Sequence, residues 1–355
     1  MIMQKPQRFL VPLAMLGLLL GILSGWLRLG WNLPLSIAAG EHGLLMVGGF
    51  LGTLISLERA VVVKTRWALL VPLVQALAVV MLLFDQFALA IWLFMAGAMG
   101  MAVIIYSFLH RFQEPFYYLL FGGSLCLLIG HVFLLRTHFY PTAVPWWMAF
   151  LLLTITAERL ELSRFVPLKP YQRLLLWLAL GVFLVGVAQP FHGFGQSLTG
   201  VGMVLVGAWL LRFDMARRLL LRTGQQRYMG GLLVLGYGWL LVSGLLLALP
   251  VTFPFVYDAT LHTFFTGFVF SMIFAHGPVI LPGVLSLRGN FYRPMLYVGA
   301  LGQSVGLLTR VIGDMTTDAP LRLAGGLIQG CTILFFMGCM LVTILRSASN
   351  VATAR

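Results

Sequence analysis

Residues 88–110 read ALAIWLFMAGAMGMAVIIYSFLH, an apolar run without a single Asp, Glu, Lys or Arg. About 20 such residues in a helix cross the hydrocarbon core of a bilayer. Only a helix or a closed barrel satisfies all its backbone hydrogen bonds internally in lipid. Barrel strands are alternating segments of about ten residues, and this run does not alternate. It reads as a membrane-spanning helix, and the rest of the chain repeats it. Comparable runs lie at 9–30, 35–58, 67–84, 116–135 and 142–160, then at 173–190, 195–213, 229–249, 256–284, 294–313 and 321–346. The reading is an all-α integral membrane protein with twelve transmembrane helices in one membrane domain, residues 1–355.

Composition agrees. Of 355 residues 60% are hydrophobic and only 9% charged, against about 25% charged in soluble domains. A water-soluble globule, a disordered chain and a nucleic-acid binder are excluded. The excess of positive charge, 23 − 10 = +13, is read as orientation, because Lys and Arg collect in cytoplasmic loops. With the N-terminus inside, the inner segments hold Lys5, Arg8, Arg59, Lys64, Arg66, Arg111, Arg159, Arg164, Lys169, Arg173, Arg212, Arg217, Arg218, Arg222, Arg227, Arg288, Arg293, Arg346 and Arg355. The outer side keeps Arg28, Arg136, Arg310 and Arg322, so 19 face 4. The expectation is a multi-pass protein of a bacterial inner membrane with both termini cytoplasmic. Cys126, Cys331 and Cys339 sit in apolar runs without CxxC spacing and indicate neither a disulfide framework nor a zinc site. The basic inner loop around Asp214, Arg217, Arg218, Arg222 and Arg227 reads as an anchor to anionic membrane lipid.

The chain also repeats internally. FLGTLISLER at 50–59 matches FLLLTITAER at 150–159 in Phe50/Phe150, Leu51/Leu151, Ile55/Ile155, Glu58/Glu158 and Arg59/Arg159. A weaker third copy puts Phe270 in the same frame and His262 opposite His42. This predicts three pseudo-repeats of four helices, approximately 1–112, 113–222 and 223–350, with helices 2, 6 and 10 equivalent. Membrane proteins built from repeats often carry their site where repeats meet.

Ionisable residues inside a membrane are costly, so each is a functional hypothesis. His42 and His262 both lie about two turns from the outer end of helices that run in the same direction. Two imidazoles at one level suit a haem iron. Around His42 the segment EHGLLMVGGFLGT places Met46, Gly49, Thr53 and Ser56 within about 40° of the histidine face. Small residues there would admit a flat cofactor; close helix packing is the competing reading. Glu41 and Asp258, beside the two histidines, are candidates to orient an imidazole or to take up a propionate's proton. His276 follows His262 by 14 residues, about four turns on nearly the same face. It is either a partner for carbonyls freed by Pro278 and Pro282 or a further metal, quinone or proton-path site. Glu58-Arg59 and Glu158-Arg159 read first as ion pairs that fix helix ends and staple the repeats, and secondarily as a proton path. Asp85, Asp314 and Asp318 read as solvated loop carboxylates, His138 and His192 as loop residues, His110 as interfacial and His131 as a reserve ligand.

Twelve spans in three arcs, with histidines on helices 2 and 10, resemble the catalytic subunit of haem–copper oxidases. The runs EHGLLMVGGF and LHTFFTGFVFSMIFAHGPVILP look more like those of the NnrS-type family, haem- and copper-containing membrane proteins linked to nitric oxide stress. The resemblance implies haem b held by His42 and His262. It does not extend to the oxidase copper ligands, since helix 6 carries Thr142, Trp146 and Trp147 in place of histidine, and His192 stands alone after helix 7. The expected function is electron transfer, quinol oxidation or a response to nitric oxide or another small gas, with a quinone or a redox protein as partner. The alternative is a cofactor-free, proton-coupled transporter with His42, His262 and His276 lining its pathway, and a third is a structural subunit whose histidines only pack.

Overall fold

Several reversals between successive helices turn on left-handed residues, Asp85, Gln113, His138 and Thr317. The fold is known from a computed structural model that describes residues 7–33, 39–63, 65–162, 168–287 and 289–353; the side chains of Arg8, Phe191, His192 and 347–353 are outside that description. Lys5, Lys64, Arg164, Arg288 and Arg355, counted above for orientation, also fall outside the described residues. The main helices are α1 (Gln7–Leu29), α2 (Ala39–Val63), α3 (Trp67–Leu83), α4 (Phe87–Phe112), α5 (Pro115–Thr137) and α6 (Tyr140–Leu162). They continue as α7 (Pro170–Ala188), α8 (Gly193–Phe213), α9 (Gly224–Ala248), α10 (Val256–Val284), α11 (Leu296–Thr316) and α12 (Ala319–Thr353). Among the described residues, eleven of these are long and apolar enough to cross a membrane, and α3 is a shorter apolar helix. Each coincides with one of the apolar runs read from the sequence.

The ends of the helices explain the sharp reversals. α4 stops at Gln113, whose φ of 48° is left-handed and whose N–H caps the Leu109 carbonyl; Pro115 then opens α5. α5 stops in the same way at His138, φ 51°, an exposed turn residue as expected.

Burial is inverted relative to a soluble protein. On α11 the exposed residues are Val298, Leu301, Val305, Leu308, Ile312 and Met315, spaced three and four apart along one face. The opposite face buries Gln303, Arg310 and Asp314. A helix that shows apolar side chains outward and polar ones inward is suited to lipid. The chain is a multi-pass membrane protein.

The residues form two compact units, Met1–Glu158 with Gly283–Leu287, and Arg159–Pro282 with Arg288–Arg355. These divisions fall within α6 and near the end of α10, not at the repeat boundaries near 112 and 222. In the first unit α1 meets α2 through Gly17, Gly21 and Gly25. A Cβ on Gly17 would lie 2.9 Å from the Gly49 backbone carbon, so the two chains touch there. In the second unit α8 and α9 approach in the same manner, a Cβ on Gly200 falling 2.6 Å from the Gly244 carbonyl oxygen. Phe50, Phe150 and Phe270, equated by the sequence repeat, are each at most 1% exposed.

Candidate functional site

In the first unit, α2 opens with a tight turn at Ala39–Glu41, becomes α-helical at His42, then widens into a π-helical stretch over Leu45–Gly52. Such wide turns are rare and concentrate at functional sites. The His42 Nδ1–H donates to the Gly21 carbonyl of α1 at 2.7 Å. A carbonyl can only accept, so Nδ1 carries a proton. The Ser24 hydroxyl donates to the same carbonyl at 2.9 Å, and Gly25 leaves room for the ring, since a Cβ there would lie 2.9 Å from His42 Cε1. Met46 and Gly49 do share the His42 face, but α1 covers it. Met46 fills the niche at Gly21, and Gly49 packs on Gly17 and on Val79 of α3. For these two the structure shows helix packing. Glu41 accepts a hydrogen bond from the Tyr140 hydroxyl.

In the second unit, α10 repeats the pattern. His262 closes an α-helical turn and a π-helical stretch follows at once, over Thr263–Val269. Its Nδ1–H donates to the Asp258 carbonyl at 2.9 Å and lies 3.4 Å from the Asp258 carboxylate. The widened turn disturbs the carbonyl ladder, and side chains repair it. The Thr266 hydroxyl donates to the His262 carbonyl at 2.7 Å, and the Gln303 amide reaches the Thr266 carbonyl at 3.3 Å. Gln329 of α12 donates to the Thr266 hydroxyl at 2.9 Å.

Asp258 is itself held. Arg310 grips it with Nε at 2.9 Å and a terminal nitrogen at 3.0 Å. Arg322 bonds Asp314 at 2.6 Å and lies over the Phe255 ring, 3.5 Å from its centre. Asp314 is 0% exposed, so the reading of it as a solvated loop carboxylate is corrected. Counting from the helix end put it in the loop; packing against α12 puts it inside. Asp85 is exposed as expected.

Arg59 and Arg159, which the sequence equates, make different contacts. Arg59 bonds Glu158 at 2.8 Å and its neighbour Glu58 at 3.3 Å. This ion pair joins α2 to α6. Arg159 meets the Nε2 of His276 at 2.6 Å instead, while the His276 Nδ1–H donates to the Met272 carbonyl at 2.7 Å. Both His276 nitrogens are engaged, Nε2 accepting from a guanidinium, so the atom a metal would need is occupied. Arg159 also bonds Tyr237, whose hydroxyl reaches Asp214 at 3.0 Å. Asp214 is buried and accepts from the Ala216 N–H at 3.0 Å, which starts the short helix Ala216–Leu220.

The carbonyl that Pro278 deprives of its partner is that of Phe274, four residues earlier. It is satisfied by the Tyr228 hydroxyl at 3.1 Å, not by His276. Tyr228 was not singled out in the sequence, where a tyrosine near a helix end is commonplace. Gln75 of α3 was also passed over. It is 1% exposed in the cleft between Gly52 and Gly97, and its amide has no hydrogen-bond partner among the described residues. His131 is fully buried, stacked on Phe94 at 5.5 Å and edge-on to Trp147 at 5.7 Å, with neither nitrogen hydrogen-bonded among the described residues. His110 is exposed and stacks on Tyr106; the His192 side chain lies outside the described residues. Among the described residues no group of three or more His, Cys, Asp or Glu is placed to hold a metal ion.

A protein with half-buried histidines on two apolar helices, each fixed by a carbonyl and followed by a wide turn, falls in the class of polytopic membrane proteins. The chain belongs to the family described as Domain of unknown function (DUF8744), whose model matches residues 8–345. No curated protein matches it.

Proposed function

We propose that the protein binds haem b, with His42 and His262 as the imidazoles that ligate its iron. The observation that carries this reading is the shared tautomer. Each histidine gives its Nδ1 proton to a backbone carbonyl, Gly21 for one and Asp258 for the other, so that Nε2 is the nitrogen that would ligate iron. Metal-ligating histidines are held in this way. Asp258, fixed by Arg310, braces the second of them. Bound through two imidazoles, a haem supplies one-electron transfer, and electron transfer or a small-gas response is the activity we assign. The motif likeness to NnrS-type and haem–copper proteins supports the same reading. With α3 as a twelfth span, the charge asymmetry orients both termini to the cytoplasmic side of a bacterial inner membrane.

The test is haem and iron content of the purified protein after expression with ample haem. We expect haem b, extractable with acidified solvent and matched by iron. Protein that is folded and membrane-inserted yet carries neither would end the proposal.

A further inference from the structure

The second unit carries a cleft that the histidines do not use. It has a volume of about 550 Å³ and is lined by Leu220, Gly224, Arg227, Gly231, Tyr292 and Tyr297. Its walls are the short helix Ala216–Leu220, the first two turns of α9 and the segment leading into α11. All three lie at the ends of membrane-spanning helices, the depth at which lipid headgroups sit. Tyrosine is enriched at that level because its ring is apolar and its hydroxyl is polar.

The chemistry of the lining is one-sided. Arg227 is exposed, no carboxylate lines the cleft among the described residues, and the surrounding chain adds the exposed Arg217, Arg218, Arg222 and Arg293. Behind the two lining tyrosines stands Tyr228, its ring 5.4 Å from Tyr292 and 4.9 Å from Tyr297. Tyr228 is pinned to the Phe274 carbonyl, so this aromatic wall is fixed to α10. Leu220 and Gly231 form an apolar side. A guanidinium and two phenols on one side and a smooth apolar surface on the other suit a ligand with an anionic head and a hydrocarbon body.

We propose that this cleft binds an anionic phospholipid, its headgroup phosphate on Arg227 within reach of Tyr292 and Tyr297, and its glycerol and first acyl carbons on Leu220 and Gly231. Phosphate pairs with the forked donors of arginine, and the basic surround attracts acidic lipid. The site is independent of haem.

Native mass spectrometry of the full-length protein, exchanged into mixed micelles of phosphatidylglycerol and phosphatidylcholine, tests it. Wild type should retain one phosphatidylglycerol in preference to phosphatidylcholine. Arg227→Gln should weaken retention about tenfold, as expected for one charge-assisted contact. Gly231→Phe should weaken it similarly by filling the cleft; a Cβ at Gly231 meets nothing closer than Leu220 at 3.8 Å, so the helix tolerates it. Arg222→Gln, outside the cleft, should stay within about twofold. Equal retention of both lipids would overturn the proposal. So would an Arg222 effect as large as that of Arg227, which would mark a diffuse basic surface. Displacement of the lipid by millimolar inorganic phosphate would assign the cleft to a soluble anion instead.

Discussion

Asp258→Ala is expected to destabilise the protein by about 3 kcal/mol or more, because it leaves a charge buried without its partner. Arg310 is only 9% exposed at its side chain and makes two hydrogen bonds to that carboxylate. The guanidinium sits in a helix whose outer face meets lipid, so water has little access to replace the lost contacts. Asp258→Ala combined with Arg310→Met should recover most of the loss, since removing both charges also removes their desolvation cost. The acceptor for His262 Nδ1 is the Asp258 backbone carbonyl, which survives in both variants. Stability and haem binding are therefore separable: unfolding midpoints in mild detergent should shift while His262 keeps its tautomer. A single variant that loses less than about 1 kcal/mol would show that Arg310 is solvated.

Gly17→Leu is the second large effect. The nearest atoms to a Cβ at Gly17 are backbone atoms, Gly49 C at 2.9 Å and Phe50 N at 3.0 Å. Backbone cannot rotate away as a side chain can, so α1 and α2 must separate, at a cost of about 3 kcal/mol. Gly21 sits one turn along α1, and its carbonyl holds His42. Loss of stability should be accompanied by loss of haem. Gly25→Ala probes the same stripe more gently. Its Cβ would press on His42 Cε1, the edge of a ring and not a backbone. That variant should fold and insert normally but shift the visible absorption of the bound haem. Unchanged spectra in a folded Gly25→Ala protein would place the His42 ring elsewhere.

What could be read in advance follows from the physics of each signal. Twenty apolar residues in a row have few alternatives to a spanning helix, so each apolar run overlaps a helix, though α2 and α12 extend several residues past theirs. The stripe Gly17, Gly21, Gly25 stands in the sequence at a spacing of four, but spacing alone does not say which helix packs against it. Met46 and Gly49 were placed on the right face, but periodicity gives a face and not what covers it. Burial was the harder quantity. Asp314 and Arg310 are polar residues near a helix end, and only the packing of α12 on α11 decides that they are inside. His276 and Arg159 lie 117 residues apart, and no local pattern links them. The Glu-Arg pairs, by contrast, are recognisable from the sequence as ion-pairing groups, and Arg59 bonds both Glu158 and its neighbour Glu58.

The central claim stands or falls on the visible spectrum of His42→Ala and His262→Ala, singly and together, in protein shown to be folded and inserted. The account expects a Soret band in wild type, altered in each single variant and absent from the double variant. A band that persists unchanged in the double variant, or none in wild type supplied with haem, would contradict it.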